Sequence, residues 1–226
     1  MRVSGLLAAG LGAAVLAASP ASAAVMMATF YGATDFGGYD YAGLFGTPGG
    51  SLAYKPVVVT FTYDTELGMP IVSPGQDTRF GGGQYGTDSP ILSASITIGD
   101  ASYDLDLSYY GYANSYAGEW TWLYGRQDTP GNVASEFQVT AYHPDAPGDL
   151  ATPFMAYAGG GGTLRLYKPN DYGELLAETD FSVGGLTVEY LGPSGAPVPE
   201  PAAWALMILG FGLAGSALRA RRSATA

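Results

Sequence analysis

The chain has 226 residues, no cysteine and one histidine, His143. Disulfides, thiolate metal sites, a cysteine nucleophile and any multi-histidine centre within one chain are excluded. Between Ala24 and Pro199 five basic residues stand against 19 acidic ones, a net charge of −14 on that span, which repels nucleic-acid backbones and anionic headgroups and argues against a nucleic-acid partner.

The first 23 residues read as a signal peptide. Arg2 supplies a positive start, Leu6 to Ala18 an apolar run, and Ala21-Ser22-Ala23 a small-x-small cleavage pattern with the cut before Ala24. That order predicts export by the Sec machinery and a mature chain starting near Ala24.

From Ala24 to Leu191 the composition favours strands and turns. The whole chain has 34 Gly, 17 Tyr and only 13% charged residues, where helix-rich proteins carry more Glu, Lys, Ala and Leu. Alternation carries the signal. A first strand is expected over Val25 to Tyr31. Next, Val57, Val59, Phe61 and Tyr63 point one way, while Val58, Thr60, Thr62 and Asp64 point the other. Leu92, Ala94, Ile96 and Ile98 form another apolar face, and Gly99-Asp100 marks a turn. Tyr103, Leu105, Leu107 and Tyr109 then alternate with Asp104, Asp106 and Ser108, which reads as the second arm of a hairpin. Later strands are expected around Trp120 to Tyr124, Glu136 to Tyr142, Thr163 to Tyr167, Asp180 to Val183 and Leu186 to Leu191. The Gly-rich stretches Gly68 to Pro90 and Asp145 to Gly162 read as long loops. Short strands between Gly, Pro and Asp clusters predict an all-β fold: one antiparallel β-sandwich or barrel-like domain over residues 24–191.

Several residues could carry chemistry, each beside a plainer reading. His143 sits in the turn-like run Tyr142-His143-Pro144-Asp145, and an exposed loop residue is the simpler account. No Gly-x-Ser-x-Gly elbow places a serine beside it. Gly81, Gly83 and Gly86 satisfy Gly-x-Gly-x-x-Gly, but without a following helix they read as loop. Asp104 and Asp106 share a strand face, and Asp64 and Glu66 flank a strand end. Such oxygens could bind calcium or serve glycoside hydrolysis, while a solvated polar face explains them as well. The reading assigns no catalytic residue, metal ligand or cofactor, with calcium kept as a possibility. Tyr109, Tyr110, Tyr112, Tyr116, Trp120, Trp122 and Tyr124 crowd together. They could stack on sugars, or simply pack on strands.

The C-terminal end is the most specific part. Residues 192–198 form a Pro/Gly linker, followed by Pro199-Glu200-Pro201. Ala202 to Leu218 then runs 17 residues without a charge, near the lower limit for crossing a bilayer at about 1.5 Å per residue. Trp204 stands where an amphipathic ring anchors at headgroup level, and Arg219, Arg221 and Arg222 favour a cytoplasmic end, leaving 223–226 as a short cytoplasmic tail. Gly210, Gly212 and Gly215 offer a small-residue face to a membrane partner.

The Pro-Glu-Pro box, the Trp204-Ala205 pair, the Met-Ile-x-Gly-Phe-Gly core and the arginine cluster, in that order, closely resemble the PEP-CTERM sorting signal in its PEPxxWA form. Ala220, which interrupts the arginine run, is a small departure. The resemblance implies an exosortase as processing partner, with the inner membrane as a transient anchor. Cleavage at the box and release to the cell surface or extracellular matrix would follow. It also implies a Gram-negative host, often one that makes exopolysaccharide and biofilm, so exopolysaccharide is a candidate partner. The stretch Gly43 to Val57 leading into Phe61-Thr-Tyr-Asp-Thr65, and Ile96-Thr-Ile-Gly99, loosely resemble other ectodomains bearing this tail. That likeness implies a shared secreted β-domain and brings no activity. The expected role is structural or adhesive and non-enzymatic. A carbohydrate-binding module and a secreted hydrolase are the alternatives.

Overall fold

A computed structural model describes residues 24–105, 107–129, 133–168 and 173–193. The expected signal peptide with Ala21 and Ala23, the sorting tail with its transmembrane helix, and Asp106 lie outside them. Among the described residues no helix is long and apolar enough to cross a membrane.

Among the described residues fourteen strands follow in order: β1 (Ala24–Thr34), β2 (Tyr39–Asp40), β3 (Gly50–Ser51), β4 (Pro56–Asp64), β5 (Met69–Ser73), β6 (Gln76–Gly81), β7 (Ile91–Ile98), β8 (Ala101–Leu105), β9 (Tyr110–Tyr116), β10 (Trp120–Thr129), β11 (Val133–Tyr142), β12 (Phe154–Tyr157), β13 (Gly159–Tyr167) and β14 (Leu175–Pro193). One 3₁₀ turn, Gly83–Tyr85, lies between β6 and β7. The main sheet runs β10-β11-β13-β14-β1-β4-β7-β8, and a second sheet runs β5-β6-β9. The strand ladders within both sheets are antiparallel.

The main sheet curls into a half-barrel. Phe61 of β4 and Phe137 of β11 stack with centroids 5.1 Å apart and planes 12° from parallel. Three strands separate β4 from β11 in the sheet order. Only a curled sheet brings their inner faces together. Phe30 meets Phe61 edge-on at 6.5 Å, and Phe181 lies 6.3 Å from Phe137. The core thus fills the concave side with alternate residues: Met26, Ala28 and Phe30 of β1; Val57, Val59, Phe61 and Tyr63 of β4; and Leu164 and Leu166 of β13. Antiparallel all-β architecture stands as expected, and of the two shapes expected the barrel-like one is the nearer.

Several expected boundaries differ. Gly68 to Pro90 is no long loop. It holds the β5–β6 hairpin and the 3₁₀ turn, and Gly86 closes that turn at a left-handed φ of 65°. Polar and charged residues at Gln76, Asp77 and Arg79 hid the strand pattern. The expected loop at 145–162 contains β12 and the start of β13, where four consecutive glycines, 159–162, remove every apolar marker. The two strands expected at 180–183 and 186–191 are one strand, β14, reaching Pro193. A register shift opposite Tyr31/Gly32 lets it pass Gly184-Gly185.

Leu92 does not begin the apolar face of β7. The ladder to β4 slips between Thr62 and Tyr63, so Ile91 and Ala94 turn inward and Leu92 is 47% exposed. The arm expected to reach Tyr109 stops at Leu105.

His143 overturns its expected exposure. It follows the last residue of β11 at an inward-facing position, is 3% exposed, and stacks on Phe154 at 4.8 Å. Burial pushes its imidazole pKa down, and the nearby Asp145 opposes this weakly. The unfolded state therefore binds the extra proton more readily. The resulting stability is fully present above about pH 6.5 and is lost as pH falls toward the lower folded pKa. Denaturant unfolding between pH 7 and pH 5 should show a steeper acid loss for the parent than for His143→Gln. Equal slopes would mean that the imidazole does not contribute.

A candidate ligand-binding face

The convex side of β9, β10 and β11 gathers the aromatic residues that the sequence crowds together. In a strand alternate side chains face one way. On β10, Thr121 and Leu123 go into the core, so Trp120, Trp122 and Tyr124 go out. The same alternation on β9 places Tyr110, Tyr112 and Tyr116 outward. Three cross-strand pairs result: Tyr110–Tyr124 at 5.3 Å, Tyr112–Trp122 at 4.8 Å and Tyr116–Trp120 at 5.1 Å. Tyr85 extends the row to Tyr110, and Tyr142 of β11 meets Trp120 edge-on at 6.4 Å. Packing and exposure both hold here: the six rings of β9 and β10 are half-buried against their partners, while Tyr85 and Tyr142 are exposed.

Hydrogen bonds fix part of this ladder. Trp120 Nε1 donates to Asn114 Oδ1 at 2.8 Å, and Asn114 Nδ2 donates to the Thr78 hydroxyl. Among the described residues Trp122 Nε1 has no acceptor. Burial, with Tyr85, Tyr112 and Tyr124 nearby, pushes the Tyr110 hydroxyl up to about 12. Burial raises that of Tyr112 too. These hydroxyls remain neutral across any physiological pH.

Beside the ladder lies an open depression of about 460 Å³, walled by Trp120, Trp122 and Tyr142 and lined by Gln138, Thr140 and Thr163. Thr140 stands opposite Gly161, and Tyr142 opposite Gly159, so β13 presents bare backbone where side chains would otherwise fill the space. The lining side chains carry amide and hydroxyl groups, and the Thr163 hydroxyl donates to the Asp180 carboxylate beside the depression at 2.9 Å. Toward the other end of these strands, Arg126, Glu136, Arg165 and Glu178 stand opposite one another in an alternating row, which favours this register.

Asp64, Glu66 and Asp104, the carboxylate candidates among the described residues, form no metal-holding cluster. Asp64 is buried and accepts a hydrogen bond from the Glu66 backbone N–H at 2.9 Å, so it builds the turn after β4. Asp104 is exposed on β8 opposite Ser95. Among the described residues no group of three or more His, Asp or Glu side chains is placed to hold a metal ion. The glycine triplet forms the end of β6 and the 3₁₀ turn, tied by the Gly82–Thr87 bridge, with no α-helix following. Reasoning from sequence missed Tyr85, Tyr142, Gln138 and Thr163. The run of glycines opposite the end of β11 was the available signal.

Comparison with known families decides the other end of the chain. Residues 197–222 match the family model of the PEP-CTERM protein-sorting motif. The chain carries a PEP-CTERM sorting motif. The match spans Pro199, Glu200, Pro201, Trp204, Gly210, Gly212, Arg219, Arg221 and Arg222. The PEP-CTERM motif implies sorting by an exosortase toward the cell surface. No curated protein and no solved structure matches the chain.

Proposed function

We propose that this is a non-enzymatic surface protein, delivered through an exosortase, whose β-domain adheres to uncharged polysaccharide with its convex aromatic face. The observation that carries the reading is the ladder of half-exposed Trp and Tyr rings beside a depression lined by neutral donors and acceptors. Pyranose rings have an apolar face that can lie on an aromatic ring and hydroxyls that bond to amides and alcohols. Stacking supplies contact area at low entropic cost, because Trp and Tyr have only two side-chain torsions. The acidic surface disfavours anionic polymers. Export and a PEP-CTERM tail would place this face where cells keep their polysaccharides.

The same reading includes Sec-dependent export with cleavage before Ala24, transient anchoring in the inner membrane by 202–218, and exosortase cutting at Pro199-Glu200-Pro201. Intact mass of the surface fraction tests the processing: a product from Ala24 to that box is expected, and retention of Ala202 to Ala226 would leave the tail as an anchor only.

Adhesion is tested with the full chain in detergent micelles, run through native gels containing uncharged polymers (hydroxyethyl cellulose, galactomannan, dextran) or anionic ones (alginate, polygalacturonate). Retardation by at least one uncharged polymer, with less by the anionic pair, is expected. Equal mobility in every gel would remove polysaccharide as the partner.

A further inference from the structure

The main sheet ends at β10 on one side and at β8 on the other. The β10 end is occupied. β9 packs along it through three aromatic pairs, and Ser108 bridges Arg126. β8 pairs with β7, and among the described residues no strand pairs with its outer side.

The ladder says which main-chain groups that side presents. In an antiparallel sheet both polar groups of one residue point to one neighbour, and those of the next residue point the other way. The Gly99 N–H donates to the Pro56 carbonyl, at the start of β4, at 2.9 Å. Thr97 and Ser95 therefore bond β4 in turn, while Ile98, Ile96 and Ala94 bond β8. Their partners there are Ala101, Tyr103 and Leu105. The N–H and C=O groups of Ser102 and Asp104 are left facing outward, and both residues are exposed. Gly99, at a φ of 63°, opens the two-residue turn that sets this register.

An open edge invites another strand, and proteins blunt the edges they leave unused. β5 is blunted in this way. Its turn Pro74-Gly75 closes on Ser73 and Gln76, so the same alternation sends Pro70 and Val72 away from β6. Pro70 has no N–H to offer. β8 has no proline. Its guard is charge, with Asp104 on the edge and Asp100 in the adjoining turn, both exposed. Those carboxylates keep off a second copy of this acidic chain and attract a basic strand.

We infer that the outer side of β8 is a docking edge for an extended segment of a partner protein in which basic residues alternate with apolar ones. The segment adds one strand to the sheet, and its main chain pairs with Ser102 and Asp104. Its Lys or Arg side chains lie on the outer face and meet Asp104 and Asp100. Its apolar side chains lie on the other face and extend the core past Leu105 and past Tyr103, which meets Phe45 at 6.3 Å. Main-chain bonds supply affinity, and alternate side chains supply choice. β8 contributes nothing to the aromatic depression, so this inference stands apart from the polysaccharide reading.

The probe is a capped peptide of Lys-Val repeats, with a Glu-Val peptide of equal length as its counterpart. Each is added to the full chain in detergent micelles. Fluorescence anisotropy of the labelled peptide reads binding, and amide hydrogen exchange reads its place. The Lys-Val peptide should bind and slow exchange at the Ser102 and Asp104 amides at least about tenfold. The Glu-Val peptide should not bind. Ser102→Pro should abolish binding; the N–H it removes bonds nothing among the described residues, and an edge tolerates proline, so this variant should fold. Asp104→Asn should weaken binding roughly threefold, the size of one cross-strand charge pair. Failure of the Lys-Val peptide to bind overturns the inference. So does binding that leaves both amides exchanging freely, which is diffuse attraction to an acidic surface, and so does equal affinity of the parent and a folded Ser102→Pro. Exchange on the parent needs no variant, so misfolding of Ser102→Pro would not shield the inference.

Discussion

Replacing Phe137 with alanine is expected to lower the unfolding free energy of the β-domain by about 3–5 kcal/mol, the usual range for emptying a buried phenylalanine site. The reason lies in the curl. Phe137 is fully buried and touches both walls of the half-barrel, stacking on Phe61 of β4 at 5.1 Å and approaching Phe181 of β14 at 6.3 Å. Removing the ring opens a void that these strands cannot easily close, because hydrogen-bonded ladders on either side hold their backbones apart. Denaturant unfolding followed by tryptophan fluorescence reads the loss. A change of under about 1 kcal/mol, typical of a surface or poorly packed site, would mean that the walls of the half-barrel do not meet at this ring.

The second large effect is on binding. Trp122→Ala should weaken affinity for an uncharged polymer by about 2 kcal/mol, roughly thirtyfold, as is usual for truncating an aromatic anchor at the centre of a binding surface. Trp122 is central here. It pairs with Tyr112 at 4.8 Å, stands opposite Thr140 in register, and lines the depression beside the aromatic ladder. The core behind it is formed by Leu123 and Val139, which the substitution does not touch. Phe36→Ala is the control, since Phe36 is an apolar, 84% exposed ring that does not line the depression. Matched losses in the two variants would assign the effect to surface hydrophobicity in general and sink the aromatic face as a site.

The strands that sequence reveals are those with one face in the core and one in water. β1, β4, β10 and β11 have alternating apolar residues, and each was placed to within a few positions. β5 and β6 were hidden because their small sheet carries polar and charged residues such as Asp77 and Arg79, so no period of two appears. β13 was clipped because Gly159 to Gly162 have no side chains to alternate. Gly162 could not be otherwise: a β-carbon there would sit 2.2 Å from the Phe181 ring. β12 lies within a stretch read as loop. The register shift that turns Leu92 outward depends on how β7 meets β4, which no residue of β7 announces.

The candidate face divides in the same way. Seven close-set aromatics are visible in the sequence, where packing on strands is the plainer reading beside sugar stacking, because alternation says which residues share a side and not which side the core takes. Spacing alone makes the carboxylates a solvated polar face before a calcium or hydrolytic site, and buried Asp64 forms a turn by accepting the Glu66 N–H.

By itself the sequence determined the all-β class, the absence of any cysteine chemistry, the acidic character of residues 24–199 and the C-terminal sorting motif. Each of these depends on composition or on residues adjacent in the chain. Tertiary structure alone decided that the sheet curls into a half-barrel, that His143 is buried, and that the aromatic residues of β9, β10 and β11 pair on one outer face. These depend on register between strands far apart in sequence, where one residue of slip exchanges inside for outside.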